Sequence, residues 1–209
     1  LHAIKVIGFK TLTPIQQEAI PAARRGIDLL ATAQTGTGKT AAYSLPVLQQ
    51  MLEKPKHTEA GFVRTLILAP TRELVEQIAA AMQQFAQFTP YKIATVYGGV
   101  KLTGQSAKLR AGVDILVATP GRLKEHVELG NINLAKTEFV VLDEADRMMD
   151  MGFVNDMHGI LTSIVRKHQT LFFSATSSPL VTNLAKQAMN RPTLISISKR
   201  NSVAETVDH

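Results

Sequence analysis

Three stretches, TLILA at 65–69, DILVA at 114–118 and FVVLD at 139–143, are apolar at consecutive positions instead of alternate ones. A strand that faces water on one side alternates; one covered on both faces does not, so these segments belong inside a parallel sheet with helices on both sides. Further β-branched or apolar runs at 28–31, 93–97, 170–174 and 193–197 extend the series, most of them separated by helix-length stretches. Segments 41–52, 72–87, 122–129 and 154–166 carry apolar residues at helical spacing, and Leu74, Ile78, Ala81, Met82 and Phe85 form a stripe expected to face the core. The pattern is α/β with right-handed crossovers between mostly parallel strands. At 209 residues and 45% hydrophobic content, the chain supports one core, so residues 1–209 are read as a single domain.

Several classes of function fall away on composition. The sequence has no cysteine, which removes disulfides and thiolate metal sites, and its histidines, among them His57, His158 and His168, lack metal-ligand spacing. Apolar runs stay well short of the ~18 residues of a membrane span, and the first residues do not resemble a signal peptide. A cytoplasmic, monomeric chain is expected. The net charge of +6 suits a phosphate-rich partner, and equally a soluble protein with surplus lysine. Residues 53–61 (EKPKHTEAG) read as a mobile surface loop and the polar stretch 199–209 as a linker towards a further domain.

Directly after the DLLAT run stand Ala33, Gln34, Thr35, Gly36, Thr37, Gly38, Lys39 and Thr40, leading into an apolar helical segment. This strand, loop and helix arrangement is a phosphate-binding loop. Its glycines let successive N–H groups turn inward on an anion, and the helix start adds its positive end. Lys39 is positioned to reach the β- and γ-phosphates of a nucleotide, and Thr40 to ligate Mg²⁺. Ala33 occupies the position where the usual pattern has glycine, and a small side chain there remains permissive.

Such a loop requires a carboxylate on a neighbouring strand to hold the metal, and the FVVL run leads straight into Asp143, Glu144, Ala145 and Asp146. Asp143 is read as the metal-side carboxylate and Glu144 as the base that orients and deprotonates the attacking water.

With AQTGTGKT and DEAD in this order, the chain resembles the DEAD-box RNA helicases over essentially its whole length. The resemblance implies a RecA-like three-layer sandwich of the P-loop NTPase class, ATP as substrate with Mg²⁺, and RNA as partner. GFKTLTPIQ at 8–16 looks like the family's Q motif, implying that Gln16 reads the adenine edge and Phe9 stacks on the ring; Leu12 replaces the usual proline, and the family's additional upstream aromatic would precede Leu1. Pro70, Thr71 and Arg72, then Gly98 and Gly99, then Thr119, Pro120, Gly121 and Arg122 resemble its motifs for the RNA backbone. Each follows an apolar run, and threonine hydroxyls, helix-start N–H groups and arginines hold sugar and phosphate without reading bases. Ser174-Ala175-Thr176 resembles the motif coupling hydrolysis to unwinding, with its hydroxyls expected to bond the acidic motif through Asp146; as residues alone, a Ser/Thr pair after a strand also reads as a helix cap. The methionines of RMMDMGF at 147–153 are read as packing.

The family's second RecA-like domain, with its arginine fingers, has no counterpart in these residues, so the catalytic site is expected to be incomplete. An ATP-gated RNA clamp, or another P-loop enzyme such as a DNA translocase or small-molecule kinase, would share the phosphate loop and the acidic pair. Gln16 and the three backbone-type motifs speak for the RNA helicase.

Overall fold

A computed structural model describes residues 2–197, so the expected linker at 199–209 lies outside the described residues. The elements run α1 (His2–Ile7), α2 (Pro14–Arg24), β1 (Leu29–Thr32), α3 (Lys39–Glu53), β2 (Thr65–Leu68), α4 (Arg72–Ala86), β3 (Ile93–Val96) and α5 (Leu102–Arg110), followed by β4 (Ile115–Ala118), α6 (Pro120–Glu128), β5 (Phe139–Leu142), α7 (Ala145–Asp150), α8 (Val154–Thr162), β6 (Gln169–Ser174), α9 (Pro179–Ala188) and β7 (Thr193–Ser196). The strands form one sheet in the order β3-β4-β2-β5-β6-β1-β7, and every pairing is parallel.

Alternate residues of each central strand enter two separate cores, which is why the runs need no polar positions. Leu29, Ala31, Ile67, Val117, Val141 and Phe173 meet Ile15 and Ala19 of α2, Tyr43 and Leu48 of α3, and Ile78 and Met82 of α4. Leu66, Leu68, Leu116, Val140, Leu142 and Phe172 pack on the opposite face against Leu109, Leu123, Met148, Met157 and Val181, contributed by α5 to α9. The result is the expected α/β three-layer sandwich. Ile78, Met82 and Phe85 of the α4 stripe are buried, and Leu74 and Ala81 pack against the same core.

Helix ends follow local chemistry. Thr71 Oγ1 accepts from Leu74 N at 3.3 Å and starts α4; Ser178 Oγ accepts from Val181 N at 3.3 Å and starts α9. Pro120 at the first turn starts α6 two residues before the expected 122. Helix α8 stops at Thr162 instead of 166, and Ser163 Oγ donates to Ile160 O at 2.6 Å there, the local side-chain bond that competes with helix continuation. Residue 53 ends α3 instead of opening the following loop. That loop lies on the surface as expected and is tied down by ion pairs from Lys56 to Glu138 and from Glu59 to Lys136. Among the methionines read as packing, Met148 and Met149 are buried, whereas Met151 is exposed. Among the described residues, no helix is long and apolar enough to cross a membrane.

Candidate functional site

Because all strands are parallel, their carboxyl ends lie along one rim, and every motif singled out in the sequence except the segment at 8–16, which precedes β1, follows such an end. Strand order sorts them. Loops after β3, β4 and β2 carry Gly98–Gly99, Thr119–Arg122 and Pro70–Arg72; the ends of β5, β6 and β1 carry Asp143–Asp146, Ser174–Thr176 and the phosphate loop. One half of the rim therefore carries the motifs read as nucleotide-type and the other those read as backbone-type, with β5 next to β2 at the junction.

The phosphate loop turns on two left-handed residues, Gly36 (φ 78°) and Gly38 (φ 92°), and Gly38 caps α3. Ala33 is buried, and its N–H donates to Ser174 O at 2.9 Å, which fixes the loop's entry to the end of β6. Thr37 Oγ1 donates to Gln34 O at 2.7 Å across the turn. Lys39, in the first turn of α3, is 6% exposed; its ammonium lies 3.7 Å from Asp143 Oδ1 and, among the described residues, makes no hydrogen bond. A buried ammonium with unused donors is costly unless an anion completes it, and a phosphate group at this helix start fits that need.

Asp143 sits at the end of β5, 3% exposed. Its Oδ2 accepts from the Tyr43 hydroxyl at 3.0 Å, and its Oδ1 from Glu144 N at 2.9 Å. Burial pushes the Asp143 carboxyl up, while the Lys39 ammonium and the Tyr43 hydroxyl pull it back towards ionisation. Burial likewise carries the Tyr43 phenol well above its usual range, assisted by Asp143, so it serves as a donor. Tyr43 was not singled out by sequence, although it stands four residues after Lys39 on the same helix face, where a partner of the same carboxylate belongs. Among the described residues no cluster of acidic and histidine side chains forms a metal cage by itself. One buried carboxylate, with the Thr40 hydroxyl bonded to the same Tyr43, fits a metal held largely by substrate phosphates and water, the habit of Mg²⁺.

Glu144 adopts φ 52°, ψ 49°, a left-handed conformation that an L side chain with Cβ takes at a cost of ~1–3 kcal/mol. Its carboxylate pairs with Arg147 at 3.2 Å. The outlier stands next to the buried Lys39–Asp143 ion pair.

Gln16 is 1% exposed. Its Oε1 accepts from Thr13 N at 3.1 Å and its Nε2 donates to Gly38 O at 3.1 Å, so the segment at 8–16 is pinned to the phosphate loop through this carboxamide. A Cβ on Gly38 would come within 2.5 Å of that Nε2 and 3.1 Å of Thr13 Oγ1. Phe9 behaves differently: it packs tilted against Phe85 at 6.1 Å and lines an apolar recess with Leu12, Leu45, Pro46 and Gln49. Gln16 thus touches the loop directly, while the Phe9 ring rests on Phe85.

On the other half of the rim, Thr71 serves as the cap of α4. Arg72 pairs with Glu76 at 3.3 Å and lies 5.0 Å over the Tyr97 ring. Arg122 is largely enclosed; it pairs with Glu125 at 2.9 Å and donates to Val100 O at 2.9 Å, which binds the third loop to the glycine loop. Gly99 needs its left-handed φ of 82°, whereas nothing lies within 4 Å of a Cβ on Gly98. Pro70, Thr119 and Pro120 are buried at their turns, and Gly121 would accept a Cβ at ordinary contact distance.

Ser174 is buried, its Oγ accepting from Thr176 N at 3.3 Å, and the cap of the following helix is Ser178. Among the described residues no hydrogen bond joins Asp146 to Ser174 or Thr176; β6 contacts the nucleotide half through the Ser174 carbonyl on Ala33.

Comparison with known proteins gives a consistent picture. The model of the DEAD/DEAH box helicase family matches residues 13–184. The chain is 40% identical over its whole length to the ATP-dependent RNA helicase DeaD of Haemophilus influenzae, of which it covers 33%. It is likewise 43% identical over its whole length to the ATP-dependent RNA helicase RhlB of Pseudomonas aeruginosa, covering 54% of that protein. The crystal structure of a hypothetical ATP-dependent RNA helicase from Sulfolobus tokodaii superposes on 94% of this chain and 56% of that one with a TM-score of 0.85 at 35% identity. The chain thus spans about a third to a half of the length of these relatives.

Proposed function

Since the chain belongs to the DEAD/DEAH box helicase family, we propose that it is the ATP-binding, N-terminal RecA-like half of a cytoplasmic RNA helicase that uses ATP hydrolysis to unwind short duplexes or remodel RNA–protein complexes. The observation that carries this reading is the buried Lys39 ammonium, without a hydrogen bond, 3.7 Å from Asp143 at the start of α3. The turn of Gly36 and Gly38 receives the phosphates, and Lys39 neutralises the outer ones. Thr40 and Asp143 would hold Mg²⁺, which supplies charge neutralisation between the β- and γ-phosphates. Gln16 retains one N–H and one lone pair beyond its bonds to Gly38 and Thr13, enough to read an adenine edge. Glu144 orients and deprotonates the water.

RNA lies across the loops after β2, β3 and β4, held by its sugar-phosphate backbone without sequence preference. Similarity to ATP-dependent RNA helicases favours RNA over the DNA-translocase reading. A second RecA-like domain closes over both ligands and contributes arginine fingers, worth ~10³–10⁵ in rate or roughly 4–7 kcal/mol of barrier. The monomeric chain alone is expected to bind ATP and hydrolyse it near background.

Calorimetric titration with ATP, ADP and GTP in Mg²⁺ tests this directly. Adenine nucleotides are expected to bind, GTP to bind poorly, and Gln16→Ala to abolish the discrimination. Equal binding of GTP by the unmutated chain would return the site to another P-loop class.

A further inference from the structure

Outside the residues that motifs point to, one side chain makes paired bonds to the glycine loop. Gln105, on α5 and 8% exposed, accepts from Tyr97 N through Oε1 at 3.3 Å and donates from Nε2 to Tyr97 O at 3.0 Å. Among the described residues, strand β3 is the sheet's outermost strand on that side, paired only with β4. The Gln105 carboxamide thus takes the place of a neighbouring strand for one residue and fixes the direction in which the chain leaves β3 into Gly98 and Gly99.

Tyr97 carries the tie onward. Its hydroxyl donates to Glu76 Oε1 at 2.7 Å, and the same oxygen accepts from Arg72 Nε at 3.3 Å while the Arg72 guanidinium lies 5.0 Å over the Tyr97 ring. At the far end of the glycine loop, Arg122 Nη1 holds Val100 O at 2.9 Å. The loop is therefore clamped on both flanks. One clamp leads to the loop after β2 and the other to the loop after β4, while Gly98 and Gly99 between them remain exposed and uncrowded.

We propose that Gln105 is a positioning residue for RNA: by holding Tyr97 from both backbone groups it sets the glycine loop in its binding conformation and aligns it with Arg72. The inference rests on the reading of this rim as the RNA-binding surface. Gln105 acts through Tyr97 and does not itself touch the polynucleotide. The preorganised loop loses less freedom on binding, so removing the clamp weakens RNA without disturbing the nucleotide half.

The test is fluorescence anisotropy of a labelled single-stranded oligouridylate with the chain and two variants, each checked by thermal melting. Gln105→Leu keeps the volume and loses both bonds; RNA binding is expected to weaken roughly fivefold to tenfold with ATP affinity unchanged. Gln105→Glu separates positioning from packing. Its ionised carboxylate opposes the Tyr97 carbonyl, whereas the protonated acid has one donor and one acceptor and restores the clamp. Burial raises the pKa of such a carboxyl, so its RNA affinity relative to the unmutated chain should recover between about pH 7.5 and about pH 5.5. Equal binding by Gln105→Leu and the unmutated chain, or a Gln105→Glu deficit independent of pH, overturns the inference alone. Failure of the unmutated chain to bind RNA overturns the RNA reading and the inference with it.

Discussion

The two halves of the rim solve opposite problems with the same scaffold. At the ends of β1, β5 and β6, charge is buried: Lys39 and Asp143 are nearly inaccessible, and among the described residues Lys39 Nζ has no hydrogen-bond partner. At the ends of β2, β3 and β4, side chains are spent on the loops themselves, Thr71 as a cap, Arg122 on Val100, Arg72 on Glu76. The first half is prepared for one small, highly charged ligand that completes it. The second, on the proposed reading, presents main chain and open glycines to a repeating ligand that can approach closely. Binding and stability should therefore be entangled in the nucleotide half and separable in the backbone-binding half.

The largest departure is expected at Lys39. Lys39→Met strands Asp143 without its cation, and on the order of 3 kcal/mol of stability should be lost in urea unfolding along with nucleotide binding. Adding Asp143→Leu removes the orphaned carboxylate, and stability is expected to recover substantially while binding stays absent. If Lys39→Met leaves the urea midpoint unchanged, the buried pair is not what strains this half.

Two glycines sharpen the contrast. Gly38→Ala must hold φ near 92° and drive a Cβ to 2.5 Å from Gln16 Nε2, so it should cost roughly 2 kcal/mol and release the Gln16 contact. Gly98→Ala meets nothing within 4 Å, and its stability should stay within about 0.5 kcal/mol of the parent. Weaker oligonucleotide binding by Gly98→Ala at unchanged melting temperature would show that its missing side chain serves the ligand; unchanged binding would remove Gly98 from the surface.

Sequence carried the elements further than their relations. The strand runs were legible because burial on both faces leaves an apolar code, and the phosphate loop because its turn demands glycine at fixed offsets. Helix α2 has a weak sequence signal, because PIQQEAIPAAR holds an internal Pro21, a residue that ordinarily breaks a helix. Helix α5, LTGQSAKLR, offers barely an apolar stripe. Strand order had no signature at all, although it alone divides the rim. Pairings across long separations were equally silent: Tyr43 and Asp143 lie 100 residues apart, and Gln16 reaches Gly38 across 22. Phe9 shows the converse, a motif position whose ring packs against Phe85.

The smallest effect tests whether the backbone-binding half truly avoids buried charge. His126, on the helix that follows Thr119, is fully buried; its Nδ1 meets Asn131 Nδ2 at 3.2 Å, and its Nε2 has no hydrogen-bond partner. Asn131 Oδ1 in turn accepts from Arg110 at 2.7 Å. Burial, with the nearby Arg122, holds the imidazole below its ordinary range, so it stays neutral where an unfolded histidine protonates. Between the lowered folded value and about 6.5 the unfolded chain binds more protons, and stability must fall as pH drops through that window. Below the folded value the loss levels off. His126→Gln keeps a polar partner for Asn131 and removes the titration, so its melting temperature should decline less steeply from about pH 7 to about pH 5. Parallel declines would mean that the imidazole is already accommodated in its charged form, and that this half tolerates a buried cation as the other does.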